Sequence, residues 1–243
     1  AHPEWSAAAA KSALMTTSRQ DIVKEDGVTP ADPFDMGAGH IDWSRPAVAP
    51  NSPFEPGLVY EAGFFDYLAK IWWASPANIG QGTSDFLEAN GISLDPSELN
   101  LATNRVGELD GSQTETRTVA AVTGVKGNIG VHPTVDAPPG FDVTVYPTSL
   151  KLRDGQSASY EVTITNNGGA TLGDWAFGSL TWRGGGFDVY SPIAVRAFEF
   201  AAPAAVSGSG TSGSASFDVQ FGYDGDYTAA PHGLVAPTLT PGN

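Results

Sequence analysis

The sequence has no cysteine in its 243 residues. Disulfides, zinc–thiolate sites and cysteine nucleophiles are therefore excluded at once. Positive charge is also scarce, because 12 lysines and arginines stand against 27 aspartates and glutamates, which gives a formal net charge of -15. A chain this acidic repels phosphate backbones and anionic lipid surfaces. We therefore expect no nucleic acid and no membrane among its partners.

Long hydrophobic runs are missing as well, since no stretch approaches the ~18 uninterrupted apolar residues of a membrane helix. The chain is nevertheless 41% hydrophobic and 10% aromatic, which is the composition of a folded protein, and it is long enough for one large or two ordinary domains. Its 29 glycines, 18 prolines and low charged fraction of 16% indicate many turns and short strands.

The first third of the chain predicts short helices joined by extended segments. Ser6 has the side chain of an N-cap, and the alanines that follow predict a short, mostly buried helix. Such small side chains allow close approach to another backbone, so we expect this helix to belong inside a larger domain. Six prolines between Pro30 and Pro56 favour an extended path over a preformed surface. Residues 64–73 have the apolar spacing of an amphipathic helix, and a second short helix is expected over 84–89.

After Pro96 the apolar residues recur with a period of two, as in half-buried strands. Turn sequences separate these strands at 138–140, 154–155, 166–169 and 184–186. This spacing predicts an antiparallel β-sandwich from about Glu98 to Arg196. Beyond a Gly/Ser-rich stretch at 206–215, alternation at Phe217, Val219 and Phe221 indicates a further β-element, with too few strands to close a core alone.

Several motifs in the first half resemble subtilisin-like serine proteases of the plant cucumisin-like type and their bacterial relatives. Residues 2–6 (His-Pro-Glu-Trp-Ser) and 11–17 resemble the segment after the catalytic serine helix. Residues 34–41 resemble the family's Gly-x-Gly-His strand and turn. Residues 56–60 resemble its Asp-Pro-Gly-Leu-Val-Tyr stretch, with Glu55 in place of Asp, and Asp66-Tyr67-Leu68 follows.

In the second half, residues 98–101, 116–119, 137–140, 143–150 and 191–196 resemble the fibronectin type III-like domain of the same proteases. The match follows the family's order over roughly four fifths of the chain, which no single short motif offers. It departs at residues 72–96 and after Arg196.

The resemblance implies an α/β remnant of a subtilisin-like catalytic domain, followed by an all-β antiparallel sandwich of fibronectin type III-like fold. Its implied division is the end of the catalytic domain at 1–62, a helical linker at 63–97, the sandwich at 98–198, and a linker with the start of a further β-element at 199–243. It also implies a secreted endopeptidase whose upstream catalytic domain and protein or peptide substrates are the partners.

In this family the catalytic Asp, His and Ser occur in that order, and the serine lies in a Gly-Thr-Ser-Met motif that these residues do not contain. We therefore expect the triad to lie upstream and this portion to be inactive alone. Gly82-Thr83-Ser84 lacks the flanking residues and follows the Gly-x-Gly-His element, so Ser84 is interpreted as a helix N-cap. His2 and His40 occupy positions that are structural in the family.

Other residues allow a chemical interpretation, but a structural one is favoured for each. Trp72 and Trp73 are interpreted as core or interface packing rather than as a stacking platform. The acids at Asp224, Asp226, Asp21, Glu25 and Asp26 lack the spacing of a calcium loop, and nothing separates the pKa values of Asp32, Asp35 and Glu55. No catalytic, cofactor-binding or metal residue is therefore assigned, and no cofactor is expected.

Two alternatives to the protease remain open on the residues. The sandwich could be an independent extracellular module that binds polysaccharide or protein, or it could be an adhesin-like repeat, for which no internal repeat is visible. The alanine-rich helix favours the protease, because so small a helix is stable only against neighbouring structure.

Overall fold

The computed structural model describes residues 2–122, 124, 127–198, 200–201, 214, 216–217 and 219–222. Its helices are α1 (Ala7–Thr16), α2 (Pro33–Met36), α3 (Phe64–Ala74), α4 (Pro76–Ile79), α5 (Gln81–Ala89) and a 3₁₀ turn at Pro96–Glu98. Its strands are β1 (Gly57–Tyr60), β2 (Asn104–Leu109), β3 (Ser112–Val122), β4 (Asn128–Asp136), β5 (Phe141–Tyr146), β6 (Leu150–Arg153), β7 (Ser157–Asn166), β8 (Trp175–Gly184), β9 (Phe187–Ala197), β10 (Phe200–Ala201) and β11 (Gln220–Phe221).

Two sheets pack face to face to form a sandwich. One has the strand order β1-β3-β7-β5, and the other has the order β2-β9-β8-β4-β6. The alternating residues of β5 and β7 pair in antiparallel register, as the period of two predicts, and place Tyr160, Val162 and Ile164 in the core. The predicted turns join β4 to β5, β6 to β7, β7 to β8 and β8 to β9. The predicted β-sandwich is therefore confirmed.

One strand pair corrects the expectation of an all-antiparallel sandwich. β2 runs parallel to β9, with Asn104 opposite Ile193 and Val106 opposite Val195. The chain reaches β2 from the helical segment rather than through a hairpin from a neighbouring strand, so nothing forces the antiparallel direction on this edge strand.

The sandwich also includes a strand from before the helices. β1 pairs with β3 in antiparallel register, from Gly57 opposite Val122 to Tyr60 opposite Val119. Gly57 has a φ of +82°, and a Cβ there would overlap the ring of Phe187, so both the backbone and the packing require glycine. The predicted boundary between residues 62 and 63 thus separates β1 from the sheet that it joins, and the division of the chain into domains stays a prediction.

Tyr60 carries β1 into the core through a buried trio of hydroxyls. Its hydroxyl lies 2.7 Å from that of Tyr160, and the Ser191 hydroxyl donates to it at 3.1 Å. Tyr160 in turn contacts the edge of the Trp182 ring, with centroids 4.9 Å apart. Burial raises the pKa of both tyrosines, so both phenols stay protonated at neutral pH.

The helices predicted outside the sandwich are present, but α1 is less buried than predicted. Ser6 caps α1 by accepting a hydrogen bond from the Ala9 amide at 2.9 Å, as predicted. However, α1 is half rather than mostly buried, because one face remains open. α3 and α5 form where helices were predicted, and the proline-rich segment contains one short helix, α2. These few helices indicate a subtilisin-like α/β remnant only weakly.

β10 pairs with β11 as a separate two-stranded element after the sandwich, in the region where a further β-element was predicted. The Gly/Ser-rich stretch at 206–215 lies outside the described residues apart from residue 214. Within the described ranges no helix is long and apolar enough to cross a membrane.

Replacing Tyr60 with phenylalanine tests the hydroxyl trio. Tyr60→Phe leaves the buried hydroxyls of Tyr160 and Ser191 short of a partner, so we expect a loss of about 1–3 kcal/mol in the free energy of unfolding. Tyr67→Phe removes a hydroxyl from a tyrosine that is 38% exposed, and is expected to change stability by less than about 0.5 kcal/mol. Urea unfolding of both variants measures the difference, and equal midpoints would contradict the trio.

Candidate functional site

Ser84, the residue closest in sequence pattern to a nucleophile, lies inside α5 and is only 1% exposed. The prediction that it caps the helix is wrong, because α5 begins earlier, at Gln81, with Gly80 at the cap. The Ser84 hydroxyl donates to the Gln81 carbonyl at 2.8 Å and accepts from the Gln81 side-chain amide at 2.9 Å. These contacts, all within the described residues, supply no general base of the kind that activates a serine.

The two histidines, His2 and His40, which occupy positions that are structural in the family, contact residues that hold the local fold. His2 stacks on Trp5 with ring centroids 4.2 Å apart, and its Nδ1 lies 3.0 Å from a carboxylate oxygen of Glu4. His40 exchanges two backbone hydrogen bonds with Arg19. The preceding Gly39 has a φ of +121°, and a Cβ there would overlap the Arg19 carbonyl. The glycine of this motif therefore allows the two segments to meet.

The acidic candidates hold turns and caps. The Asp26 carboxylate accepts hydrogen bonds from the Thr29 hydroxyl and from the amides of Val28 and Thr29, which lower its pKa to about 2. Asp32 and Asp35 form the capping box of α2, and Lys24 bridges them at 3.2 and 2.9 Å.

The remaining acids gather no site either. Arg19 pairs with Asp21 at 3.1 Å, and Glu55 takes part in a backbone bridge with Ser52. Among the described residues no three acids or histidines come together as metal ligands. Asp224 and Asp226 lie outside the described residues.

Large apolar side chains that remain exposed on α3 and α5 make up what we call the helical apolar surface: Phe64, Phe65, Ile71, Trp73 and Phe86. Phe64 is 74% exposed and Trp73 is 53% exposed. The ring of Phe65 contacts those of Phe64 and Phe86, with centroids 5.4 and 5.7 Å apart. Exposed apolar clusters of this kind mark contact sites for other proteins or domains. Trp73 is further covered by Lys70, whose ammonium lies 3.9 Å from the ring centroid.

A second open surface lies on one side of α1. Ala9 and Ala13 pack against Val59 of β1, and the Ser12 hydroxyl accepts a hydrogen bond from the Tyr60 amide at 2.9 Å. On the other side of the helix, Ala7 and Ala10 are exposed. The alanines thus allow α1 to pack closely against β1 on one side, and on the other side they expose only small side chains.

A groove of about 720 Å³ lies between the helical segment and the outer face of β3. Glu61, Asp66 and Glu98 line it together with Asn100 and the hydroxyls of Thr116, Thr118 and Ser157. The carboxylates already accept hydrogen bonds from Ser6, the Gly63 amide and the Thr116 amide, respectively. The groove is therefore polar and acidic rather than an apolar ligand pocket.

A further cluster of aromatic side chains joins α2 to β8. Phe34 of α2 meets Trp175 and Phe177 of β8 edge-on, with both pairs of centroids 5.0 Å apart. The guanidinium groups of Arg105 and Arg196 each lie 5.3 Å from the Trp175 ring centroid. No periodicity signals a contact between positions so far apart in sequence. The cluster fastens α2 to the outer face of the second sheet.

Comparison with known proteins identifies the type of domain that the sandwich forms. Residues 98–195 match the family model described as "Fibronectin type-III domain". These bounds agree closely with the predicted sandwich.

The comparisons then identify the relatives. The chain is 32% identical over 210 residues to the "CO(2)-response secreted protease" of Arabidopsis thaliana, covering 80% of this chain and 26% of that protein. It is 31% identical over 209 residues to "Subtilisin-like serine-protease S" of Lotus japonicus, again covering 80% and 26%. The resemblance predicted from the motifs is confirmed: over four fifths of its length this chain is similar to subtilisin-like serine proteases. It spans about a quarter of the length of the curated relatives that it matches.

Among solved structures, the PapD-like domain of human CEP192 covers 40% of this chain and 82% of its own length, with 10% identity and a TM-score of 0.30. At that TM-score the likeness carries no argument about function.

Two alanines of α1 form a matched pair for testing how the helix docks. Ala13→Leu inserts a large side chain between α1 and β1, and we expect it to lower the free energy of unfolding by about 1–3 kcal/mol. Ala10→Leu makes the same change on the open face and is expected to stay within about 0.5 kcal/mol. Thermal unfolding of this chain with each substitution measures the two changes in stability. An equal loss in both would show that α1 does not dock as described.

Proposed function

We propose that this chain is the C-terminal portion of a secreted subtilisin-like serine endopeptidase whose catalytic Asp, His and Ser lie upstream. In this proposal residues up to about 62 complete the catalytic domain. The sandwich stabilises or orients that domain, and the portion described here is inactive alone. The partners are the upstream catalytic domain of the same polypeptide and the protein or peptide substrates of the intact enzyme.

The observation that carries the proposal is the extent of the similarity. It covers 210 residues, well beyond the fibronectin type-III domain at 98–195, so the resemblance is not limited to a module that unrelated proteins also carry. Both relatives are named as proteases, and one is named as secreted.

The open surfaces support a contact role for the sandwich. The helical apolar surface exposes aromatic side chains that would gain about 25 cal/mol for each Å² of apolar area buried against a neighbouring domain. The open face of α1, with Ala7 and Ala10, is small enough to admit another backbone closely.

The alternative is a non-catalytic extracellular module that binds polysaccharide or protein. The acidic groove beside β3 is the observation that favours it, because its hydroxyls and carboxylates suit polar polymers. A contact role and a binding role differ in what the helical apolar surface does, and the experiments below separate them.

A serine-reactive fluorophosphonate tests whether the portion is inactive. We expect no labelling and no peptidase activity from residues 1–243, because the hydroxyl of Ser84 is buried and bonded within its own helix. Ser84→Ala is the matched control. Stoichiometric labelling that disappears in Ser84→Ala would contradict the proposal.

Phe64→Lys tests the contact role. In this chain Phe64 is 74% exposed, so the substitution is expected to change the melting temperature by no more than about a degree. In the intact protease the same change would place a charge in a buried contact, and we expect the melting temperature to fall by several degrees. Differential scanning calorimetry of both proteins gives the comparison.

Leu172→Lys, on a loop of the sandwich outside the helical apolar surface, is the control for Phe64→Lys. It is expected to leave both proteins unchanged. Two results together would favour the binding role over the contact role. Phe64→Lys would leave the melting temperature of the intact protease and its turnover of a small chromogenic peptide unchanged, and deletion of residues 98–198 would abolish binding to an insoluble polymer.

A further inference from the structure

Two ionisable side chains are buried side by side on the inward face of β3. Arg117 is 2% exposed and Glu115 is fully buried. An Nη2 of Arg117 lies 2.8 Å from Oε2 of Glu115. Burying a charged pair costs desolvation energy that the pair itself barely recovers, so such a pair is weak evidence for stability alone.

The same guanidinium holds the connection between the helices and the sandwich. We call residues 95–103 the connecting segment. Arg117 donates to the carbonyl of Ser97 at 2.8 Å, and to that of Thr103 at 3.1 Å from Nη2 and 3.3 Å from Nε. Both acceptors are backbone atoms, so the anchor depends on the path of the segment rather than on its side chains.

Further hydrogen bonds join the connecting segment to β3, including two from the side chain of Gln113 to those of Asp95 and Ser97. The Glu98 carboxylate accepts from the Thr116 amide at 3.0 Å. The Asn100 side chain both donates to the Thr118 carbonyl, at 2.9 Å, and accepts from the Thr118 amide, at 2.9 Å. Lifting the segment away from β3 would therefore break a continuous row of hydrogen bonds and expose Glu115 and Arg117 to water.

Negative charge is concentrated around this row. Burial, with smaller contributions from the carboxylates of Glu98 and Asp95, raises the pKa of Glu115 to about 7, although Arg117 and the Arg105 amide on β2 act to lower it. Burial also raises the pKa of Glu98. The phenols of Tyr60 and Tyr160 also face the pair, and they stay protonated. The ionising neighbours of Glu115 are therefore Asp95, Glu98 and Arg117.

We propose that Glu115 and Arg117 form a pH-sensitive latch that holds the connecting segment, and with it the helices α3 to α5, against the sandwich below neutral pH and loosens as Glu115 ionises. The latch goes beyond the proposed protease function and does not depend on it.

The direction follows from proton linkage. In the latched state Glu115 binds its proton up to a pH of about 7, whereas once exposed to water it does so only up to about 4.5. Between these values opening releases a proton, so a rise in pH favours the open state, by at most about tenfold in the opening equilibrium for each pH unit. Above about pH 7 the dependence on Glu115 ends, because the carboxyl is then ionised in both states.

Hydrogen exchange with mass spectrometry on the full chain tests the latch. Protection factors of amides in residues 98–103, corrected for intrinsic exchange rates, are expected to fall by up to about tenfold per unit between pH 5 and pH 7. Glu115→Gln should remove most of this slope, and Glu115→Gln with Glu98→Gln should remove the rest. Glu108→Gln, at an exposed position on β2, should keep the slope of the original chain.

Three results would overturn the latch: protection that is constant between pH 5 and pH 7, a slope that Glu115→Gln leaves unchanged, or an equal slope at the core amides of Leu180 and Val189. The last would mean that the pair stabilises the whole fold rather than the connecting segment. Should Glu115→Gln fail to fold, the profile of the original chain and that of Glu98→Gln decide the question.

Discussion

The pairing of β1 with β3 is the interaction on which the rest of the structure depends. It brings Leu58 and Tyr60 into the sandwich core, where the Tyr60 hydroxyl joins those of Tyr160 and Ser191. The opposite face of the strand presents Val59 to α1. Because a four-residue strand has little stability by itself, its position is set by this burial on both faces. α1 is therefore tied to the sandwich through β1, and α3 starts only a few residues after the strand ends.

The two sides of the molecule use their apolar residues differently. The sandwich buries its own, from Val119 to Val195, in one continuous core. The helices between β1 and β2 bury few, and Phe64 and Trp73 remain open to solvent. Apolar surface left open on one side of a well-packed sandwich is typical of a contact with another domain. Arg117 connects the two sides, because it ties the segment after the helices to the inward face of β3.

Local patterns predicted the features that depend on local physics. The strands β5 and β7, the turns around them and the Ser6 cap follow from alternation, turn residues and capping preference. The contact between Tyr60 and Tyr160, the parallel pair β2–β9 and the meeting of Phe34 with Trp175 join positions that no period relates. An amphipathic pattern identified the apolar face of α3, but a pattern does not say what covers that face. Ser84 was misplaced because the helix begins one turn earlier than its cap-like sequence suggests.

Through β1, the residues before position 62 and the sandwich form one folded unit. Native-state hydrogen exchange measures this directly when the amides of β1 are compared with those of β7, such as Val162 and Ile164. We expect protected amides of Leu58 and Tyr60 to open with the same free energy as the β7 core. If β1 exchanges orders of magnitude faster while β7 stays protected, β1 is a detachable extension and the N-terminal residues do not form one folded unit with the sandwich.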